Sequence, residues 1–342
     1  LPKGKPWPEF FQEEYKLIGS ISGVFIIFLI YKAFFTKHGL FAVSGITQIE
    51  FSRLDYLLTQ LKLLSFYYLK LFFFPLNLNV DPDIQVLESW FDLKLILSVV
   101  FLLILIIKVR AKPQNFLFGL CWFAVAMAPE SSFIPLQDIV ADHRLYLPSV
   151  GLFLILPFLL KKLYVRIMFC LVILIYSINL IDRNQDWRSQ VSLWKDTVQK
   201  SPNKARPFIN LAHAHHVSND LEKAIINYKK AKALDTTYFE IHHNLGALYK
   251  EKGECETAEE EYRLALILKP DSEESMVGFA ECSYQMGRYN VAILYLEKAL
   301  KTKPRLASAY RILGKIYYFY LDKQELGKSY FRQALELDPY HE

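Results

Sequence analysis

The residues best suited to chemistry stand together in the stretch from position 129 to 151, PESSFIPLQDIVADHRLYLPSVG. Apolar segments flank this stretch on both sides, yet it carries Asp138, Asp142, His143 and Arg144. Ionisable side chains are costly to place beside a lipid bilayer, so a cluster of them there indicates a functional site. The mixture of charges favours a lipid-phosphate or sugar ligand at the outer membrane face. A solvated turn between two membrane spans is the alternative interpretation.

The composition places this stretch in a membrane domain that is joined to a soluble one. The chain has 342 residues, of which 53% are hydrophobic, including 26 Phe and 21 Tyr. Nearly all of the apolar excess precedes position 182, and the remainder is polar enough for a soluble helical array. The net charge of +5 is mild, and the absence of Lys/Arg runs argues against a nucleic-acid partner.

Residues 1–181 are predicted to form a polytopic bundle of transmembrane helices. Several of the apolar segments have only about 16 residues where about 20 are usual, which implies short or tilted spans. The segment 53–75 bears a polar stripe at helical spacing and is predicted to lie in the interface or to span, with the interfacial position favoured. The stripe consists of Ser52, Asp55, Thr59 and Lys62, and the predicted spans are 17–35, 93–109, 115–129, 145–160 and 165–181.

The short loops between these segments predict the orientation. Loops 108–112 and 161–166 are rich in Lys and Arg and belong inside, whereas loops 77–92 and 130–143 have neither and face outside. This alternation puts everything after position 181 outside as well. The sequence therefore predicts an integral membrane protein whose C-terminal half lies outside, and the short loops favour the bacterial inner membrane with that half in the periplasm. In a eukaryote that half would face the lumen of the endoplasmic reticulum.

A period of 34 residues follows position 205 and matches the tetratricopeptide repeat. Small residues let the paired helices approach, aromatic residues fill the space between them, and a proline (Pro270, Pro304 or Pro339) ends the second helix in each of the last three units. The predicted fold class is therefore all-α, a partial membrane bundle followed by a tetratricopeptide-repeat α-solenoid. The repeats are predicted at 205–238, 239–272, 273–306 and 307–342, after a linker and half-repeat cap at 182–204.

The first helices of such repeats line a concave groove. Asn210 and Asn244 occupy equivalent positions of the first two units, and a side-chain amide both donates to and accepts from a peptide backbone. This resembles the asparagine ladder of superhelical tetratricopeptide arrays, and it predicts peptide binding. Gly278 and Ile312 end the ladder in the later units. The alternative is that both Asn residues are ordinary solvated groups.

No metal site is predicted. His213 and His216 share a helix face, but no carboxylate or cysteine completes a ligand set at suitable spacing. The cysteines show no CxxC or zinc spacing and are interpreted as small buried residues. They are Cys121 and Cys170 in apolar segments, and Cys255 and Cys282 in different repeats.

Three stretches together make a resemblance specific: FSRLDYLLTQ, the DHRLYLPS loop and RNQDWRSQVSLWKDTVQKSPNKARPFINLA. The chain resembles the C-terminal half of the transmembrane and tetratricopeptide-repeat proteins, whose animal members are protein O-mannosyltransferases, and especially their bacterial relatives. The resemblance implies a GT-C glycosyltransferase membrane fold. It further implies a polyprenyl-phosphate-linked sugar as donor substrate, transferred to an acceptor at the outer or lumenal face, and leaves a divalent cation open as a cofactor.

The resemblance also assigns residues. Asp142, His143 and Arg144 match an acidic-His-Arg triplet of the family, so His143 and Arg144 are expected to pair with the carrier's phosphate. Asp81 and Asp83 match the family's acidic loop after a Pro-Leu step. Nothing in residues 1–17 corresponds to the first outer loop that holds the family's acidic base. The chain is therefore expected to be catalytically incomplete, either truncated or a natural non-catalytic form, and its catalytic residues are unassigned.

The predicted function is a membrane-anchored solenoid that binds a peptide or protein acceptor outside the membrane for sugar transfer. The main alternative is a non-enzymatic scaffold whose repeats assemble an envelope protein complex. A third possibility is a ligase of lipid-linked polymers, whose repeats would bind no peptide.

Overall fold

The computed structural model describes residues 52–74, 77–84, 86–87, 91–109, 114–128, 139–140, 142–159 and 162–339. Within these residues the regular elements are all helical. The chain divides into two compact units, the first made of Leu1–Leu76 and Ile84–Met168, the second of Asn77–Asp83 and Phe169–Glu342. The span predicted at 17–35 lies outside the described residues.

The described part of the first unit begins with a helix that carries the polar stripe. Helix α1, Arg53–Leu63, is capped by Ser52 and continues through a π-helical turn, Leu64–Tyr68, into α2, Leu69–Phe73. The Ser52 hydroxyl accepts from the backbone N–H of Asp55, and the Asp55 carboxylate accepts from that of Ser52, which satisfies donors that a helix start leaves unpaired.

The polar stripe of α1 holds neighbouring protein segments. The Thr59 hydroxyl accepts a 3.0 Å hydrogen bond from the backbone N–H of Leu87. The Lys62 ammonium lies 2.7 Å from the Asp92 carboxylate, an ion pair that lowers the pKa of Asp92. Thr59 and Lys62 are therefore both paired with other groups of the protein. Whether residues 53–75 lie in the interface or span the bilayer stays a prediction.

Two glycines bring a pair of apolar helices into close contact. Helices α3, Leu93–Val109, and α4, Gln114–Met127, are followed by α5, Tyr146–Leu159. A Cβ on Gly119 of α4 would lie 2.5 Å from the carbonyl oxygen of Gly151 in α5, so a side chain at this position would push the helices apart. Small residues at helix crossings are typical of membrane helices.

Helix α6, Leu163–Asp186, is the longest of the described helices. Its segment Val165–Asp186 has a mean hydropathy of 2.0 and is, by length and composition, the one described helix able to cross a membrane. Other apolar stretches are shorter, so the polytopic bundle stays a prediction. These are Leu93–Ile104, Phe116–Met127 and Tyr146–Leu156.

The second unit is an array of paired helices. After the single helix α7, Gln190–Lys200, which packs on α8, the described helices pair in the order of the repeats. Each pair turns on a residue with positive φ, the left-handed conformation that ends a helix cleanly. These residues are Asn219, Gly253, Gly287 and Asp322. The helices are α8 Ala205–Val217, α9 Leu221–Leu234, α10 Phe239–Glu251, α11 Cys255–Leu268, α12 Glu273–Gln285, α13 Tyr289–Thr302, α14 Ala307–Phe319 and α15 Gln324–Leu337.

Buried alanines and the ring of a tyrosine pack in the core of this array. Ala224, Ala258 and Ala292 are fully buried at equivalent places, where a larger side chain would separate the helices. The ring of Tyr262 fills the space that two glycines leave. A Cβ on Gly246 would meet this ring at 2.9 Å, and a Cβ on Gly278 would lie 2.4 Å from its Cζ atom. Consecutive repeats therefore pack closely, because the Tyr262 ring occupies the space that the two glycines leave open.

Candidate functional site

The charged stretch that follows α4 ends in a single turn of 3-10 helix. This turn, Asp142–Leu145, runs without a break into the N-terminal end of α5. Arg144 is half-buried in this turn. Its position places a guanidinium at the same end of α5. Asp138 and the side chains of Asp142 and His143 lie outside the described part, so the predicted phosphate site stays a prediction.

Among the predicted site residues whose burial the structure describes, Asp81 is the most buried. Its side chain is 2% exposed and pairs with two cations at the start of the repeat array. The Arg206 guanidinium donates to it from Nε at 2.6 Å and reaches it from Nη2 at 2.5 Å, and the Lys204 ammonium donates to the same carboxylate. Asp83, two residues on, is exposed. A sugar-binding role for these two residues stays a prediction, but the contacts of Asp81 give it a structural role within the second unit.

Further hydrogen bonds bind the segment around Asp81 to the beginning of the repeat array. The Ser201 hydroxyl, which is buried, accepts from the Asn79 side chain and donates to the carbonyl oxygen of Asp81, both at 2.9 Å. The Lys200 ammonium donates to the carbonyl oxygen of Leu78 at 2.8 Å. The segment Asn77–Asp83 is therefore bound to the beginning of the array. The sequence does not predict this contact, because the partners are about 120 positions apart and no local pattern links them.

A second ionic cluster joins the end of α6 to α7. The Arg183 side chain is 7% exposed, and its Nη1 lies 2.7 Å from the Asp196 carboxylate and 3.1 Å from that of Asp186. Lys200 shares the Asp196 carboxylate at 2.7 Å. A buried guanidinium needs such partners, because breaking a buried ion pair leaves an uncompensated charge. The apolar helix is thus firmly connected to the array.

The two predicted groove asparagines lie on the first helices of the first two repeats. Asn210 on α8 and Asn244 on α10 are both half-buried. Burial raises the pKa of Tyr228, and the adjacent Asn244 amide partly offsets this rise. The Tyr228 ring therefore lies beside Asn244. One repeat later, the Tyr262 ring lies beside Gly278 in the same way. This equivalence explains why the ladder ends, since a side chain at position 278 would collide with Tyr262.

Side-chain contacts connect neighbouring first helices. The Nε2 atom of His216 lies 3.2 Å from a Glu251 carboxylate oxygen, and the Lys250 ammonium lies 2.6 Å from that of Glu281. His213 is exposed on the same helix as His216. No group of three or more metal-ligating side chains occurs among the residues that the structure describes.

A buried carboxylate links the first and second repeats behind this surface. Glu261 accepts from Nδ1 of His242 at 2.8 Å and from the Lys232 ammonium at 2.7 Å. Burial alone would raise the pKa of Glu261, but the hydrogen bonds from His242 and Lys232 outweigh it and hold this pKa below its usual value. The carboxylate is therefore ionised at neutral pH and fixes the two repeats together.

Comparison with known proteins supports the repeat assignment. A tetratricopeptide repeat model matches residues 239–272, 274–306 and 307–341, and a TPR repeat model matches 212–253. Solved structures with a similar fold include MamA, which is 24% identical, covers 44% of this chain and 86% of its own, and has a TM-score of 0.41. YrrB is 17% identical, with 49% and 83% coverage and a TM-score of 0.40. The repeat models and the paired helices of the second unit confirm the tetratricopeptide repeats and their all-α solenoid fold.

Curated relatives include several protein O-mannosyl-transferases. Human TMTC3 is 30% identical over 166 residues, which cover 46% of this chain and 18% of the relative. Tmtc3 of Drosophila melanogaster is 24% identical over 210 residues, with 58% and 22% coverage. The chain is therefore homologous to these transferases but spans only about a fifth of their length, between 18% and 22%.

Proposed function

We propose that this chain is the acceptor-binding part of a membrane protein O-glycosyltransferase of the GT-C type. Its repeats hold an extended stretch of acceptor polypeptide while a sugar is transferred to it from a polyprenyl-phosphate carrier. The observation that carries the proposal is the presence, in one chain, of tetratricopeptide repeats and homology to protein O-mannosyl-transferases.

The groove amides support binding of a polypeptide backbone. Asn210 and Asn244 lie one repeat apart on α8 and α10, and each amide offers a donor and an acceptor. A peptide backbone presents the complementary groups whatever its side chains are. Such a surface suits an enzyme that must present many different hydroxyl-bearing acceptors.

The composition of the second unit supports an outer location. The unit contains both the repeats and Asn77–Asp83, which are bound to each other through Asp81 and Ser201. Segments in direct contact stand on the same side of a membrane. Because the loop 77–92 contains no Lys or Arg, it favours the non-cytoplasmic side, and the repeats belong there with it. That side is the periplasm of a bacterium or the lumen of the endoplasmic reticulum.

Arg144 is the proposed ligand of the carrier's phosphate. A guanidinium can bind two phosphate oxygens at once, and Arg144 stands in the turn that leads into α5. His143 and Asp142 would complete the site, as the resemblance implies. The chemistry served is general-base activation of an acceptor hydroxyl, with positive groups stabilising the departing phosphate.

The test uses the full-length protein in membranes and measures both sugar transfer and acceptor binding. Arg144→Ala is expected to abolish transfer and to leave acceptor binding unchanged, because the two sites use different residues. Arg188→Ala is the matched control, since Arg188 is an exposed arginine outside the site. Unchanged transfer in Arg144→Ala would contradict the enzyme proposal and favour the non-enzymatic scaffold.

A further inference from the structure

Two buried thiols from consecutive repeats face the interface between α11 and α12. Cys255 is the first residue of α11, Cys282 lies in α12, and both belong to one hydrophobic cluster. The Cys255 thiol donates a 2.8 Å hydrogen bond to the side-chain oxygen of Gln285. Gln285 follows Cys282 by three residues and therefore lies on the same face of α12. Cys255 thus contacts the face of α12 that carries Cys282.

The electrostatics agree with direct contact between the thiols. Burial raises the pKa of Cys282, and the charge and hydrogen bond of the neighbouring Cys255 thiol raise it further. Cys282 is fully buried and Cys255 is 8% exposed. Two cysteines this close are the starting arrangement that a disulfide needs.

Ionic contacts on both sides hold the two helices in register. Glu259, one turn beyond Cys255, accepts from the Ser283 hydroxyl and from the Arg288 guanidinium. The pair Lys250 and Glu281 links α10 to α12 at 2.6 Å. Because these contacts fix the spacing of the repeats, the two thiols are held together rather than meeting by chance fluctuation.

We propose that Cys255 and Cys282 form a reversible disulfide that cross-links the second repeat to the third. The oxidant is an external disulfide, such as oxidised glutathione or a thiol–disulfide oxidoreductase. The Cys255 thiolate attacks it and forms a mixed disulfide, which releases one thiol. Cys282 then loses its proton and attacks the Cys255 sulfur, which releases the second thiol. Two electrons pass to the oxidant, and the two cysteine protons end on its two thiols.

Gln285 controls access to the pair. Its side chain is exposed, whereas the thiol to which it is hydrogen-bonded is buried. Displacement of this one side chain opens Cys255 to a disulfide reagent, while Cys282 stays enclosed. Cys255 is therefore the attacking thiol and Cys282 the resolving one. The resulting bond closes the loop from 255 to 282 and fixes the angle between the two repeats.

The experiment uses the full chain in detergent with Cys121→Ser and Cys170→Ser, which removes the two exposed cysteines. The protein is equilibrated in glutathione buffers from fully reduced to fully oxidised, alkylated and digested with trypsin. Cleavage after Arg263 separates the cysteines, so the bond joins peptide 253–263 to peptide 264–288. We expect this linked pair, with a melting temperature about 5 °C or more above that of the reduced protein.

Two variants complete the test. Gln285→Ala is expected to form the bond several-fold faster, because the cover over Cys255 is gone. Cys282→Ala is expected to stop at the mixed disulfide of Cys255 with glutathione. The proposal is overturned if oxidised buffer leaves both thiols free for alkylation in the background protein. It is also overturned if that protein, like Cys282→Ala, accumulates only the mixed disulfide.

Discussion

Asp81→Asn is expected to loosen the beginning of the repeat array. The carboxylate is 2% exposed and bound by Arg206 and Lys204, whose side chains are 19% and 24% exposed. The substitution keeps the shape, but it replaces one acceptor oxygen by an NH2 donor and leaves two cations without their counter-charge. The partial exposure of these cations limits the cost to about 2 kcal/mol.

Hydrogen exchange followed by mass spectrometry measures this effect where it occurs. A loss of about 2 kcal/mol corresponds to roughly 30-fold faster exchange, expected for the amides of α8 if they exchange by local opening. Asp83→Asn is the matched control, an exposed acid in the same segment whose exchange should change less than about threefold. In an Arg206→Gln background, Asp81→Asn should cost at least about 1 kcal/mol less. Equal exchange in Asp81→Asn and Asp83→Asn would refute the structural role of the ion pair.

Three further predictions concern packing and pH. Gly278→Ala should destabilise the array by about 1–3 kcal/mol in urea unfolding, because its Cβ would lie 2.4 Å from Tyr262 Cζ. Adding Tyr262→Leu to this variant should restore part of the lost stability. The folded-state pKa of Glu261 is depressed, so its contribution is present above the ordinary value of 4.5 and is lost as pH falls through the folded-state pKa. The free energy of unfolding should be smaller below pH 4.5 than at pH 6, and this difference should be smaller in Glu261→Gln than in the parent chain. Gly151→Val should lower the melting temperature of the first unit by separating α4 and α5, because a Cβ there would lie 2.3 Å from the carbonyl oxygen of Gly119. An unchanged melting temperature would contradict close contact between these helices.

The repeat architecture could be predicted because it depends on periodic local signals. Alanines and aromatics recur every 34 residues, and the turn residues with positive φ follow the same period from Asn219 to Gly287. The extra residue in the fourth turn shifts the corresponding residue to Asp322. Each of these positions is set by neighbours within one repeat or the next, so sequence spacing is sufficient to find it.

The contacts of Asp81 and of the cysteines could not be predicted in this way. Asp81 pairs with residues more than 120 positions away, and its acidic character indicated only an outer loop. The spacing of Cys255 and Cys282 matches no disulfide or zinc motif, so the sequence does not predict that they meet. Once the repeats are stacked, that spacing joins the start of one second helix to the last turn of the next first helix. Three-dimensional stacking, and no local pattern, brings these side chains together.

Binding of an unstructured, Ser- and Thr-rich peptide to the full chain tests the central claim most directly. Fluorescence anisotropy should detect binding, and Asn210→Ala and Asn244→Ala should each weaken it about fivefold, the loss of about one hydrogen bond. Asn290→Ala, at an exposed position on the second helix α13, should bind as the parent chain does. Absence of binding by the parent chain, or equal affinity in all three variants, would contradict an acceptor-binding groove.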